Sequence, residues 1–373
     1  MKICILSMQK VPNIGSVLQS YALKKTLEFL GHEVNFIDIE FRAEDNALLN
    51  NRELLFDEER EGKSGFISKI HKIDKYTLNR ILIRKKADLQ NMKFIEFGQK
   101  ELGLLKDDND KQYDVCVIGS DEVFNCLSGA EWGFTSQLFG NVHQAKKVIT
   151  YAASCGSTTY EALPATAIGK IKESFEKVSS FSVRDFNTER FINCLSEKTV
   201  KTHFDPVVIT NFDSEISSWR NKRIIEGPFC IVYSYYNRIH EKCEIEAIKQ
   251  FCKRNKWKIV SVGAPQMWIK EYPVLNPFEA LVLFEQAQFV ITDTFHGTIF
   301  AAKYAKQFAT LIRNSNRNKL GDLMERLGLK SHEITDFNQL DTQEERFIND
   351  TKVMQVLQKD AFNKAIEYFK DEL

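Results

Sequence analysis

The side chains best suited to chemistry on an anion lie together at Asp293-Thr294-Phe295-His296-Gly297-Thr298. They follow the apolar run Phe289-Val290-Ile291-Thr292 and precede the apolar, small-residue run Ile299-Phe300-Ala301-Ala302. A strand that turns into a helix sets polar side chains and unpaired helix N–H groups at the carboxyl end of a parallel sheet, where open α/β folds bind ligands. Histidine at such a turn can transfer a proton near neutral pH or hold a negative charge. Gly297 would let a ligand approach the backbone, Thr298 offers a hydroxyl and an N–H, and Thr294 and Phe295 would shape the same pocket. Asp293 is open to two readings, a helix cap or a base.

The same strand-to-turn arrangement recurs three times. Residues 115–118 run into Gly119-Ser120-Asp121, with Asn125 following; Phe181-Ser182-Val183 runs into Arg184-Asp185; and residues 2–7 precede Asn13, Gly15 and Gln19. In order, the segments NIGSVLQSYAL, VIGSDEVFN, FSVRD and TDTFHGTIFAAKY resemble the polysaccharide pyruvyl transferase family, and the resemblance runs from the first strand to Leu329. It implies an α/β, glycosyltransferase-B-like fold in which two Rossmann-type domains face a central cleft. It also implies transfer of a pyruvyl group from phosphoenolpyruvate, as co-substrate, to a sugar, without a cofactor.

By that resemblance Arg184 binds the donor and His296 is the leading group for proton transfer or phosphate contact, with Thr294, Phe295, Gly297 and Thr298 beside it. Arg317 and Lys319 match a basic stretch that would add charge to the cleft, although solvated surface positions are the safer reading for both. Asp121 becomes the carboxylate for a sugar hydroxyl, and Asn13, Gly15, Gln19, Ser120 and Asn125 line the acceptor side. The segment Glu122-Val123-Phe124 stands where relatives often carry Gln-x-Trp, so an aromatic platform of different shape is expected. The acceptor would be a hexose such as galactose, carried on a polyprenyl diphosphate lipid. Two rivals stay open: a nucleotide-sugar glycosyltransferase on the same fold, and a non-catalytic sugar-binding homologue. The first turn lacks G-x-G-x-x-G, which argues against a dinucleotide.

At 373 residues the chain has room for two α/β domains, and 51 basic against 51 acidic residues leave no global field for nucleic acid. Eight cysteines without a C-x-x-C pair read as reduced structural thiols, and no His, Asp or Glu cluster has metal-ligand spacing, so no metal is expected. The short opening apolar run is no secretory signal and no later stretch suits a membrane span, so a cytoplasmic location is expected.

The alternation of strands and helices predicts an N-terminal domain over 1–215, with a charged helical insertion at about 41–112 that caps this domain, and a C-terminal domain over 216–373 ending in a helical region. A first helix is expected over 19–30 and a second strand over 34–39. Asn276-Pro277-Phe278-Glu279 reads as a capped helix start. Within the insertion, residues 63–86 are basic on an amphipathic pattern. Such a helix packs its apolar face on the domain or lies on anionic lipid, the latter making the protein peripheral at the inner face of the membrane.

Overall fold

The computed structural model describes residues 1–49, 75–104, 106–341 and 344–373. Its first half alternates strand and helix: β1 (Lys2–Leu6), α1 (Ile14–Phe29) and β2 (Glu33–Phe36) form the opening unit, followed by α2 (Ala43–Asn46) and α3 (Lys75–Phe97). Then come β3 (Tyr113–Asp121), β4 (Ala145–Ala153), α4 (Ala165–Phe175), β5 (Val178–Val183), α5 (Phe186–Asn193) and β6 (Val200–Thr202). These six strands form one parallel sheet in the order β2-β1-β3-β4-β5-β6.

The chain crosses over through α6 (Pro206–Ile209) and α7 (Asp213–Ile216). The second half comprises β7 (Phe229–Tyr233), α8 (Lys242–Arg254), β8 (Lys258–Ser261), α9 (Pro277–Gln286), β9 (Phe289–Thr292), α10 (Phe295–Tyr304), β10 (Phe308–Leu311), α11 (Arg317–Arg326), β11 (Glu333–Ile334) and α12 (Thr351–Glu372). Its five strands are also parallel, in the order β11-β10-β9-β7-β8. Every residue of β7, β9 and β10 is buried, as expected of parallel strands covered on both faces.

Local chemistry sets the helix starts. Helix α1 begins at Ile14, five residues before the sequence expectation, because the Asn13 side chain accepts from Ser16 N at 2.8 Å and supplies the cap. Strand β2 stops at Phe36 instead of 39. Helix α9 carries the expected capping box: Asn276 Oδ1 accepts from Glu279 N at 2.9 Å, and Glu279 Oε2 accepts from Asn276 N at 3.0 Å.

One apolar core joins the two sheets. It holds Leu18 and Leu27 of α1, Phe278 and Leu281 of α9, Ile299 and Phe300 of α10, and Phe369 of α12. Helix α12 returns to the first sheet, where the Tyr368 hydroxyl donates to Thr150 O at 2.8 Å and the Phe369 ring lies 4.7 Å from Tyr151. Helix α3 departs from the picture of a cap on the first domain alone. Its Gln90 amide brackets the Leu275 backbone with bonds of 2.7 and 2.9 Å, and Phe97 packs 5.1 Å from Phe278, so it straps the two halves together. Of the expected basic helix at 63–86, residues 63–74 lie outside the described residues and residues 75–86 form the first half of α3.

Candidate active site

The carboxyl ends of the two sheets face a cleft of about 270 Å³ lined by Asn13, Ser16, Asp121, Trp132, Tyr235 and His296 among others. A larger groove of about 790 Å³ lies elsewhere, between α1, α10 and α12, and includes none of the residues singled out in the sequence. Chemistry, more than size, selects the smaller one.

Arg184 leaves the end of β5 and is buried beneath this cleft. Its Nη1 donates to Asp205 Oδ2 at 2.7 Å, its Nη2 to Asp121 Oδ1 at 3.3 Å, and its guanidinium lies 4.1 Å from the Phe295 ring centre. Its Nε has no hydrogen-bond partner among the described residues. Burial alone would lower its basicity, but the Asp205 and Asp121 charges outweigh that and hold it above the ordinary arginine value.

Asp205 is fully buried, and its Oδ2 also accepts from Ser120 Oγ at 2.8 Å. Burial pushes against its ionisation, yet the neighbouring His296 and Arg184 bring it well below the usual carboxylate range. Asp121 completes the group, accepting from Ser16 Oγ at 2.8 Å.

His296 occupies the first turn of α10 with its side chain 12% exposed, and its Nε2 lies 3.6 Å from Asp205 Oδ2. Its ring packs so closely on Gly15 that a Cβ there would collide with Nδ1. Gly15 therefore serves the histidine by making room for it. Gly297 has the same character: a Cβ would strike Thr292, Thr294 and Tyr233, so its smallness is taken up by packing.

The helix start itself is closed by its own cap, with Gly297 N donating to Thr294 Oγ1 at 3.1 Å. Thr298 turns inward, donating to Thr294 O at 2.9 Å and meeting the Thr310 hydroxyl at 3.2 Å. Asp293 is no cap: it accepts from Ser234 Oγ at 2.6 Å and from Arg313 Nε at 2.9 Å, with Arg238 Nε at 3.2 Å.

Of the acceptor-side residues, Asn13 and Asp121 line the cleft. Gln19 is interior, its Nε2 donating to Ser7 Oγ, Ser16 O and Ser20 Oγ. Ser120 faces Asp205, and Asn125 braces Glu122 at 2.6 Å and Thr158 at 2.8 Å. Phe124 provides no platform, because it is buried against Phe139 and Phe175; Trp132 and Tyr235 offer aromatic surface in the cleft instead.

Lys319 reaches across from α11 to Glu122 Oε1 at 2.6 Å. Burial opposes ionisation of Glu122, but Lys319 and Arg184 hold it down at about 2. Arg317 is exposed and lines a different pocket, beside Arg313 and Glu244.

Sequence reasoning passed over Asp205, Ser16, Trp132, Tyr235 and the Glu122–Lys319 bridge. The Asp205-Pro206 pair did carry a signal, since Asp before Pro at a helix start is a cap, and Asp205 Oδ1 accepts from Val207 N at 3.0 Å. Among the described residues no group of three His, Cys, Asp or Glu side chains could hold a metal ion.

Two parallel sheets with helices on both faces and a cleft between their carboxyl ends define a two-domain, glycosyltransferase-B-like α/β fold. The chain belongs to the polysaccharide pyruvyl transferase family, whose model matches residues 13–316 and so takes in all four motifs. No curated protein matches the chain in sequence.

Similar solved structures include the MnaA–UDP complex of S. aureus, 10% identical with TM-score 0.45, covering 100% of this chain and 97% of that one. The UDP-GlcNAc 2-epimerase of Methanocaldococcus jannaschii is 12% identical with TM-score 0.44, covering 96% and 99%. UGT89C1 of Arabidopsis thaliana with UDP-L-rhamnose is 9% identical with TM-score 0.47, covering 99% and 97%. Likeness this distant transfers neither ligand nor reaction.

Proposed function

We propose that the protein transfers a pyruvyl group from phosphoenolpyruvate to a hexose, closing a pyruvate ketal in the assembly of a bacterial surface polysaccharide. One observation carries this reading: an imidazole from one sheet, His296, and a carboxylate from the other, Asp121, meet at one cleft with the Arg184 guanidinium directly beneath.

Phosphoenolpyruvate is doubly anionic and needs cations at its site. Arg184 and Lys319 are cations that pair with the cleft-lining carboxylates Asp121 and Glu122, Arg184 also with Asp205. A bound anion competes first for Arg184 Nη2, whose 3.3 Å contact with Asp121 is the longer of its two ion pairs. Releasing Asp121 from that contact also frees it to accept a proton from a sugar hydroxyl.

The chemistry then runs in two stages. His296 gives a proton to the methylene carbon, the double-bond electrons form the new C–H bond, and C2 becomes electrophilic. A sugar hydroxyl adds to C2 and its proton passes to Asp121. A second hydroxyl then forms the other C–O bond as the bond from C2 to the phosphate oxygen breaks; its proton passes to that departing oxygen, and inorganic phosphate leaves. Purified protein given phosphoenolpyruvate and a panel of aryl or lipid-linked glycosides tests this, read as phosphate release and a pyruvyl mass increment on the sugar. Release of phosphate without a sugar adduct, or no dependence on phosphoenolpyruvate, contradicts it.

The same reading puts the acceptor on a lipid carrier and helix α3 against an anionic bilayer. In support, Leu82, Leu89, Met92 and Ile95 of α3 are each at least half exposed, opposite the buried Ile83, Phe94 and Phe97. Arg84, Lys85, Lys86 and Lys93 are interspersed with them, the composition of an interfacial helix.

A further inference from the structure

Asp205 and His296 come from opposite sides of the domain crossover and meet nowhere in the sequence pattern. Asp205 precedes α6, where the chain leaves the first sheet; His296 opens α10 after β9 of the second. Asp205 Oδ2 already accepts from Arg184 at 2.7 Å and Ser120 at 2.8 Å, and its Oδ1 from Val207 N at 3.0 Å. A carboxylate is acceptor-only with room for about four donors, so one place is left, and it is on Oδ1. The next donor near the carboxylate is His296 Nε2, 3.6 Å from Oδ2 and able to share the group through either oxygen after a small shift. That nitrogen is shut off from solvent and has no hydrogen-bond partner among the described residues.

A buried imidazole nitrogen without a partner is costly unless something close by can receive its proton. Here the 3.6 Å gap to Asp205 is short of a hydrogen bond by a small movement, and catalytic contacts of this kind commonly tighten when ligand binds. The other ring nitrogen, Nδ1, lies over Gly15, and the side chain opens on the cleft.

We propose that Asp205 is a positioning residue: it fixes the ring of His296 with a proton on Nε2, so that Nδ1 is the nitrogen that exchanges a proton with substrate. This rests on the proposed pyruvyl transfer for the identity of the substrate, but the pairing itself does not.

The roles follow the logic of a carboxylate that orients a histidine by one nitrogen while the other does the chemistry. With both nitrogens protonated, Nδ1–H breaks toward the methylene carbon of the donor, and the bond's electron pair stays on Nδ1. The ring is left neutral with its remaining proton on Nε2, facing Asp205, and Nδ1 regains a proton from water after product leaves. Because the two residues belong to different sheets, the pair exists only when the sheets face one another, so the acid is correctly oriented only in the assembled cleft.

The test has two arms. In Asp205→Asn the side chain keeps its shape but its amide can donate to Nε2, which moves the neutral ring's proton to Nδ1. The expected result is a fall in kcat of roughly 10²–10⁴-fold with the KM for phosphoenolpyruvate changed by less than about tenfold. A folded variant with parent kcat, or with its loss confined to KM, overturns the proposal.

The second arm uses the unaltered protein labelled with ¹⁵N-histidine, the His296 signals being assigned by their loss in His296→Ala. A neutral ring protonated on Nε2 supports the pairing, and one protonated on Nδ1 overturns it. This arm decides the matter if Asp205→Asn does not fold. It also separates failure of the pairing from failure of the pyruvyl-transfer reading, which would appear as no turnover of phosphoenolpyruvate by the parent protein.

Discussion

Replacing Arg184 by Ala should unfold the protein more easily as well as weaken donor use. The guanidinium is enclosed, with a side-chain exposure of 2%, and pairs with Asp205, whose side chain is 0% exposed, and with Asp121. Removing one member of a buried pair leaves the partner charged and unsolvated, which costs about 3–5 kcal/mol. For 373 residues unfolding together, an entropy of about 2.1 cal/mol/K per residue makes this a fall in Tm of about 4–6 °C. The double variant Arg184→Ala, Asp205→Asn removes both charges and should lose less than the sum of the two singles, since neither partner is left charged opposite a gap. Urea titration and calorimetry of parent, both single variants and the double variant give the coupling directly. An Arg184→Ala protein as stable as the parent, or a double variant losing the sum of the two singles, refutes the reasoning and makes Arg184 a ligand clamp free of any structural duty.

Glu122→Gln keeps the contact with Asn125 but releases Lys319 from its 2.6 Å ion pair, so the KM for phosphoenolpyruvate should fall severalfold; an unchanged or higher KM in steady-state kinetics argues against Lys319 as a donor contact. His203 is pulled down to about 4 by burial, aided by the charge of Lys201. Its folded value lies below its unfolded one, so the unfolded chain takes up a proton first: the stability is full above about pH 6.5 and is lost as pH falls toward 4, by about 2 kcal/mol between pH 7 and pH 5. His203→Phe, in the ring cluster of Tyr151 and Tyr368, should flatten that part of the curve of stability against pH, and a parent-like slope in urea titrations contradicts the assignment. Changing Leu89 and Met92 to Ser should weaken sedimentation with anionic vesicles without altering turnover of a soluble acceptor; equal partitioning of variant and parent removes α3 from the membrane.

The alternation of strands and helices was legible because parallel strands buried on both faces read as continuous apolar runs, as at 229–233 and 289–292. The capping box at Asn276 was legible because it is local. What escaped was non-local. Nothing near Gln90 announces that its amide will clasp Leu275, 185 positions away, so α3 was read as a cap on one domain. The Glu122 to Lys319 bridge spans 197 positions and joins two motifs that look independent in the chain. Asp205 was visible as a helix-capping signature, but its meeting with Ser120, Arg184 and His296 depends on how the two sheets face each other. Gly297 reads from the sequence as a place of close approach, although what approaches is the protein's own side chains; Gly15, expected only to line the acceptor side, makes the same kind of room for His296.

The most direct test of the account is single-turnover transfer from phosphoenolpyruvate to a hexose glycoside by the parent protein and by His296→Ala and His296→Gln, with a thermal melt of each. Parent protein should release phosphate in step with a pyruvyl mass increment on the sugar. His296→Ala should be folded and slower by roughly 10²–10⁴-fold, as for loss of a general acid, and His296→Gln should keep donor binding better than it keeps turnover. Near-parent transfer by a folded His296→Ala protein would contradict the account.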